Sequence, residues 1–466
     1  MADTSATVQG LAVTDLAEEF GTPFFLYDAD RLERDYREVR RLLHPGADLF
    51  FSLKANPNVS VCAVLGALGS GAEVSSLAEL RTALWAGIAP QDVIFLGPGK
   101  TPREIEACVS TDLRAVVCES PAELRRLERT ARDAGRTDVP VLLRINPDFT
   151  TKGSGLSMGG KPRQFGMDAS LLREQRHRLH ELRHLRIRGF HAYMGTRFLR
   201  HEDIVHNTRE ILRLATELAA ELDLPCELVD IGGGFGVAYF DNETDLDLPA
   251  LAAGADVVVG DFLQAHPGSR VICELGRYLT ARCGTYVSRV LDVKESMGTR
   301  FAVTDGGTHH HMAAVGVGSF VKRNFPMRAL TRPAGGEQPY TVTGPLCTPN
   351  DVLGKNVLLP PLEPGDLIGV ERSGPTAPPP PRTVPQPRVP RRGHGPCRPR
   401  PSGAGPRHGG GPAEPATAHP HVTPARRSSP ADRPRNPAHH RERRRCDGPP
   451  ADGRHHSVRP QRRPGA

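Results

Sequence analysis

The stretch Phe51-Ser-Leu-Lys54-Ala-Asn-Pro-Asn58 holds a lysine placed to do chemistry. Leu49, Phe50, Phe51 and Leu53 predict a buried strand, and Ala-Asn-Pro predicts its end. An amine half withdrawn from water at that point would have a depressed pKa and could attack an aldehyde. A strand-end lysine is otherwise an ordinary solvated charge, so its meaning depends on its company. Gly232-Gly233-Gly234-Phe-Gly236 follows the strand residues Val229-Asp230-Ile231. Consecutive glycines let backbone N–H groups face an anion with no Cβ in the way, and a following helix would add its positive end. Alone, such a run is a tight turn. Glu274-Leu-Gly276-Arg277 adds a carboxylate, a glycine amide and a guanidinium. A buried carboxylate that keeps a pyridine nitrogen protonated, beside a lysine and a phosphate cradle, is the protein's half of pyridoxal phosphate chemistry.

These residues need a scaffold that brings strand ends together. Short β-rich runs recur at Leu49–Leu53, Ala72–Ser76, Val93–Leu96, Ala115–Glu119, Val141–Asn146, Arg188–Met194, Leu228–Ile231 and Val271–Glu274. Between them lie helical-period segments such as Ser76–Ala86, Pro102–Ser110, Pro121–Ala134 and Ile204–Leu222. Eight strands alternating with helices predict an α/β fold, a (β/α)8 TIM-like barrel, whose chemistry collects at the C-terminal strand ends. Lys54, Arg144 with Asn146, His191 with Tyr193, the glycine run and Glu274 all fall there. After the seventh strand, a glycine run sits at the usual phosphate position of such barrels. From Thr280 strands follow without helices (Tyr286–Val293, Phe301–Asp305, Tyr340–Gly344, Leu367–Arg372), predicting a second, all-β domain joined by the N-terminal segment around Phe24–Tyr27. The expected organisation is residues 1–27 joining the β-domain, 28–274 the barrel, 275–374 the β-domain and 375–466 a tail.

The chain of 466 residues has a net charge of +7, but two compositions are joined end to end. The last 92 residues hold 23 prolines, nineteen arginines, five acids and no lysine, Leu, Ile, Met or aromatic residue other than histidine. That tail carries +14, leaving the body at −7. It has too little apolar surface to offset chain entropy and is expected to be disordered. Without aromatics to stack on bases, it predicts no nucleic-acid partner. Arginine without lysine, with Pro, Ala, Gly and His, is what a GC-rich gene yields when read out of frame. Nine scattered cysteines with no CxxC pair read as reduced cytoplasmic thiols. No stretch of 18 apolar residues and no signal-like N-terminus is present, so no membrane segment is expected. His309–His311 suggests a metal, but adjacent histidines on a strand would point to opposite faces, so none is expected.

Phe51-Ser-Leu-Lys54-Ala-Asn, the glycine loop, Glu274-Leu-Gly-Arg277 and Gly344-Pro-Leu-Cys347-Thr-Pro-Asn-Asp351, in that order, resemble the fold-type III pyridoxal-phosphate decarboxylases, which include the diaminopimelate, ornithine and arginine decarboxylases. The resemblance runs from about residue 15 to 374. It implies that pyridoxal 5'-phosphate forms a Schiff base with Lys54. Gly232, Gly233, Gly234, Gly276 and Arg277 would hold the phosphate and Glu274 the pyridinium, with His191 and Tyr193 beside the ring. Tyr193 stands where the family usually stacks a histidine, a role an aromatic ring can fill. Arg144, Arg323 and Asp351 would bind substrate. Cys347 and Asp351 would reach the partner subunit's site in a homodimer, with Cys347 reprotonating the substrate. The reaction would be loss of the α-carboxylate from an amino acid or an aminoacyl carrier protein.

Two features refine that expectation. Diaminopimelate decarboxylases typically follow this cysteine with a glutamate that reads a distal amine; Thr348 stands here, disfavouring such a substrate. The segments Met158–Asp168, Asp305–His311 and Cys347-Thr-Pro resemble a secondary-metabolism branch acting on glutamate thioesterified to an acyl carrier protein, as in butirosin-like antibiotic pathways. A diaminopimelate-type enzyme, an inactive homologue and a racemase on similar architecture remain as alternatives; Gly-Pro-Leu-Cys347 argues against the racemase. The family has Gly-Ala-Tyr-Gly after the Gly-Asp-Leu-Ile strand, its tyrosine touching the cofactor; here Gly365–Gly374 is followed by Pro375-Thr-Ala. The codons GGC GCC TAC GGC, less one base of the first, read GGG CCT ACG GC and give Gly-Pro-Thr-Ala, as at 374–377. The tail is therefore read as frameshifted, with low activity and weakened dimerisation expected.

Overall fold

The computed structural model describes residues 6–375 apart from 151–152, 155, 241, 316–322 and 333–334. The expected disordered tail lies outside the described residues. Eight parallel strands form the first architecture: β1 (Ala47–Ser52), β2 (Gly71–Val74), β3 (Val93–Phe95), β4 (Ala115–Cys118), β5 (Val139–Asn146), β6 (Leu185–His191), β7 (Leu228–Gly233) and β8 (Arg270–Leu275). Each pairs with its sequence neighbour, and β8 pairs with β1 through Val271↔Ala47 to Leu275↔Phe51, so the barrel is closed. The helices between are cut by local chemistry. Asp28, Ser76 and Ser120 side chains accept from N-terminal backbone N–H groups, and Thr101 with Glu104 forms a capping box ahead of Pro102.

The strands are short and apolar on both faces because both are covered. Phe50, Ile94, Ala115, Val117, Leu142, Leu228 and Ile272 fill the barrel interior. Their neighbours Phe51, Phe95, Val116, Leu143, Val229 and Cys273 pack outward into the main core against the helices. The interior narrows where Gly71 lies under the Phe50 ring, with only 2.7 Å from a notional Cβ to that ring. Two residues further along the same strands, the inward positions become polar: Ser52, Glu73, Glu119, Arg144, His191, Asp230 and Glu274, all buried. With a side-chain period of two, one apolar layer thus carries a polar layer at the C-terminal end.

The second architecture is a mixed sheet of β9 (Gly284–Ser296), β10 (Thr299–Thr304), β11 (Met327–Ala329), β12 (Gln338–Thr343), β13 (Val352–Leu359) and β14 (Leu367–Val370), in the order β11-β14-β9-β10-β12-β13. Phe24–Tyr27 pairs antiparallel with β9, as the N-terminal segment was expected to do. Two strands escape the sequence pattern. Met327–Ala329 is only three residues long, and in Val352–Leu359 the Lys355-Asn356 pair breaks the alternation, Asn356 adopting φ +52°. The fold β6 strand starts three residues before its expected position, because Gly189 interrupts the apolar run while remaining in the ladder. Helix Leu248–Ala265 is apolar and long enough by composition to cross a membrane, but it buries Leu248, Leu251, Val258, Val259 and Phe262, as a helix of the barrel's outer ring does.

Candidate active site

β1 ends at Ser52, and one 3-10 turn, Leu53–Ala55, lifts Lys54 over the barrel mouth. Leu53 anchors the turn with no exposure. The Asn56 carboxamide fixes its exit, Oδ1 accepting from Asn58 N at 3.0 Å and Nδ2 donating to Gly374 O at 2.8 Å. Lys54 Nζ lies 2.7 Å from Glu73 Oε2 and 5.7 Å from the centre of the Tyr193 ring. Burial opposes the lysine's charge, but Glu73 and Glu274 outweigh it and hold the pKa above the ordinary lysine value. The depressed pKa expected from the sequence is therefore corrected: Glu73 was not anticipated, and with Glu274 it outweighs the burial.

Beside Lys54, three consecutive strands contribute His191, Asp230 and Glu274. His191 Nε2 lies 3.5 Å from Glu274 Oε1, with both side chains almost fully buried. Burial pushes the His191 pKa down. Burial works against an ionised Glu274 too, but the contact with His191 and the charge of Lys54 bring its pKa down to about 2. Burial raises Glu73 to about 7. Asp230, buried and facing Glu274, is pushed well above the usual carboxylate range.

The glycine run turns the chain after β7. Gly232 and Gly234 adopt φ +63° and +82°, and a Cβ on Gly234 would run into the Gly195 carbonyl. A Cβ on Gly233 would strike the Glu274 carbonyl, and one on Gly276 would sit 2.7 Å from Ala55 Cβ. Arg277 Nη1 donates to Thr196 Oγ1 at 3.0 Å. A cavity of about 420 Å³ gathers Lys54, Arg144, His191, Tyr193, Thr196, Gly234, Glu274, Gly276 and Arg277. Arg144 enters it in a fixed pose, Nη1 2.8 Å from Glu119 Oε1 and the guanidinium 4.7 Å from the Phe165 ring centre.

These residues fit pyridoxal phosphate. Gly233, Gly234 and Gly276 let the loops at the cavity wall pack closer to neighbouring chain than any Cβ would allow, Arg277 supplies a cation beside them, and an anionic buried carboxylate and an amine share the same cavity. Lys54, Gly234, Gly276, Arg277, Glu274, His191 and Tyr193 would hold it.

Cys347, Asp351 and Arg323 do not line this cavity. Cys347 is exposed on the loop between β12 and β13. Arg323 lies over Phe240 at 5.1 Å and donates to Asn242 Oδ1 at 3.1 Å. Asp351, expected to reach a partner's substrate, has both oxygens engaged in its own chain: Oδ1 accepts from Thr308 N and Oγ1 at 2.7 and 2.8 Å, and Oδ2 from Leu346 N at 2.8 Å. That geometry braces the Cys347 loop. His309 and His310 lie in a turn, not on a strand, while His311 is buried apart from solvent among Phe25, Tyr286 and Phe325. Sequence reasoning missed Glu73, Glu119 and Asp230. Counting two residues on from each inward apolar or glycine position would have found them.

The model of the pyridoxal-dependent decarboxylase pyridoxal-binding domain matches residues 29–281. The chain is 38% identical over 371 residues to the L-glutamyl-[BtrI acyl-carrier protein] decarboxylase of Niallia circulans, covering 78% of this chain and 86% of that one. It is 31% identical over 364 residues to the diaminopimelate decarboxylase of Helicobacter pylori, covering 77% and 87%. The crystal structure of Helicobacter pylori diaminopimelate decarboxylase complexed with L-lysine superposes with a TM-score of 0.70 at 29% identity, over 78% of this chain and 89% of that one. The lysine, glycine cradle and buried carboxylate thus sit on a barrel and sheet shared with these enzymes, and the chain belongs to the fold-type III pyridoxal-phosphate-dependent decarboxylases.

Proposed function

We propose that the chain decarboxylates a glutamyl group carried as a thioester on an acyl carrier protein, as a cytoplasmic homodimer in an antibiotic-type biosynthetic pathway. The observation that carries this is Thr348: the position directly after Cys347 holds no glutamate to pair with a distal ammonium group. The similarity to a glutamyl-carrier-protein decarboxylase supports the same choice.

Bound pyridoxal phosphate supplies the electron sink that lets a C–C bond to the α-carboxylate break heterolytically. This chain's residues do the rest. Lys54 would provide the amine that anchors the cofactor and, once free of it, an amine able to accept or return a proton. Glu274, held anionic, would keep the ring nitrogen protonated. Gly234, Gly276 and Arg277, which line the cavity, would hold the phosphate, with Tyr193 and His191 beside the ring. Arg144, locked by Glu119, offers a guanidinium to a carboxylate or carbonyl oxygen of the substrate. Loss of carbon dioxide would leave the α-carbon needing a proton in place of its carboxylate. Cys347, on the exposed loop braced by Asp351, donates that proton in the partner subunit's site.

Pro375, the first residue past the seam, lines the cavity itself. The out-of-frame sequence therefore begins where the family's tyrosine would touch the cofactor, and this chain is expected to turn over more slowly than a frame-restored one. The deciding experiment measures carbon dioxide release by both chains from free glutamate, free diaminopimelate and glutamyl carrier protein. Release from the carrier substrate alone is expected. Equal or faster release from diaminopimelate would overturn the carrier reading.

A further inference from the structure

Asp230 has no part in the chemistry assigned so far, yet it is the most deeply placed charge-bearing group beside Glu274. The register puts it opposite His191 on β6 and Ile272 on β8, and a shift before Gly233↔Glu274 brings the Glu274 side chain alongside. Ligand atoms of His191, Asp230 and Glu274 all lie within 4.8 Å of one another, and Asp230 has no exposure. Oδ1 accepts from Gly232 N at 2.9 Å, which ties it to the phosphate turn. Asp230 Oδ2 is buried without a hydrogen-bond donor among the described residues, and buried Glu274 Oε1 has only His191 Nε2, at 3.5 Å, near it. Two facing carboxylate oxygens without a donor between them lack a proton, and two like charges this close in a dry site do not both ionise.

We propose that Asp230 is a positioning residue that retains a proton and donates it to the buried oxygen of Glu274, so that Glu274 presents one negative charge in one direction to the cofactor ring. The groups acting on Asp230 agree on the sign. Glu274 faces it from β8 and Glu73 acts from β2, both adding to burial in favouring the protonated form, while the Gly232 N–H favours the anion. His191, from β6, is kept neutral by burial and so supplies no compensating charge to Asp230. If Asp230 were ionised, its repulsion would drive a proton onto Glu274, and the ring nitrogen would lose its anionic partner. This inference rests on the family's cofactor chemistry, and not on the substrate proposed above.

Asparagine mimics a protonated aspartic acid: its oxygen can accept from Gly232 N and its amide can donate to Glu274. Leucine has similar shape and can do neither. The first measurement is an infrared difference spectrum of the full chain without cofactor, wild type minus D230N, at about pH 8.5, chosen alkaline because burial raises the Glu73 pKa and its own proton must be absent. A protonated-carboxyl band lost in D230N is expected; no such band in the wild type overturns the proposal. The second is the absorbance of bound pyridoxal phosphate against pH. D230N should superpose on the wild type, whereas D230L should shift the profile and weaken cofactor retention roughly tenfold or more, the loss expected for a hydrogen bond to a charged group. A D230N profile displaced as far as that of D230L also overturns it. If D230L does not fold, the infrared comparison decides alone.

Discussion

Lys54 Nζ lies 2.7 Å from Glu73 Oε2, yet the glutamate side chain has no exposure while 46% of the lysine side chain remains open. The pair is one-sided: the carboxylate is committed to the barrel interior, and the amine faces the cavity where an aldehyde would arrive. The charge on Glu73 therefore tunes the amine without blocking it. Removing a negative charge at contact distance lowers the pKa of a cation. Glu73→Gln should move the pH midpoint for borohydride-trapped reaction of the cofactor-free chain with a small aldehyde downward by about one unit or more. An unmoved or raised midpoint would show that Glu274 alone sets the amine.

The glycine cradle makes a sharper prediction. Gly234 combines φ +82° with a Cβ direction blocked by the Gly195 carbonyl. Alanine there costs roughly 1–2 kcal/mol in backbone conformation alone, before the turn shifts to relieve the clash. Gly234→Ala should lose pyridoxal phosphate on desalting while melting within a few degrees of the wild type. Undiminished cofactor absorbance after desalting would refute the placement of the phosphate.

Glu119 gathers three strand ends. Its Oε1 accepts from Arg144 Nη1 at 2.8 Å and Gly97 N at 3.0 Å, and Oε2 accepts from Gly166 N at 3.2 Å. Glu119→Ala would leave the Arg144 charge buried and unpaired, a loss of about 3–5 kcal/mol in denaturant unfolding. The double variant E119A/R144M should recover much of it, since the uncompensated charge goes too. A double variant as unstable as E119A would mean that the backbone contacts to Gly97 and Gly166 matter more than the ion pair.

The sequence showed the barrel because both faces of its strands are covered, which makes them short apolar runs, and because Ser76, Thr101 and Ser120 mark the helix starts. Lys54, Glu274 and the glycines were legible because their types are unusual at strand ends. Glu73, Glu119 and Asp230 were not, since single acids within apolar runs look like solvent-facing residues until the inward register is known. The intrachain role of Asp351 was not legible either: its motif suggested reach toward substrate, and the register alone shows the three donors of its own chain that hold it. The β-domain was partly hidden because Asn356, in the left-handed region, disrupts the period-two pattern of β13.

His311 links the start of the β-domain to its last described residues. Its Nε2 lies 2.8 Å from Ser373 Oγ, the ring packs against Phe25, Tyr286 and Phe325, and burial pushes its pKa down to about 4. An ordinary histidine titrates near 6.5, so between these values the unfolded chain binds a proton that the folded one refuses. Stability from this group is complete above pH 6.5 and falls as pH drops toward 4, by about 3 kcal/mol in all. His311→Phe keeps the aromatic packing and removes the proton site. Denaturant unfolding at pH 7.5 and 4.5 should show the wild type losing about 3 kcal/mol more than the variant, because the carboxylates common to both cancel in the difference. Equal losses would mean that acid opens the sheet elsewhere, and that the contact beside the seam does not set the domain's acid limit.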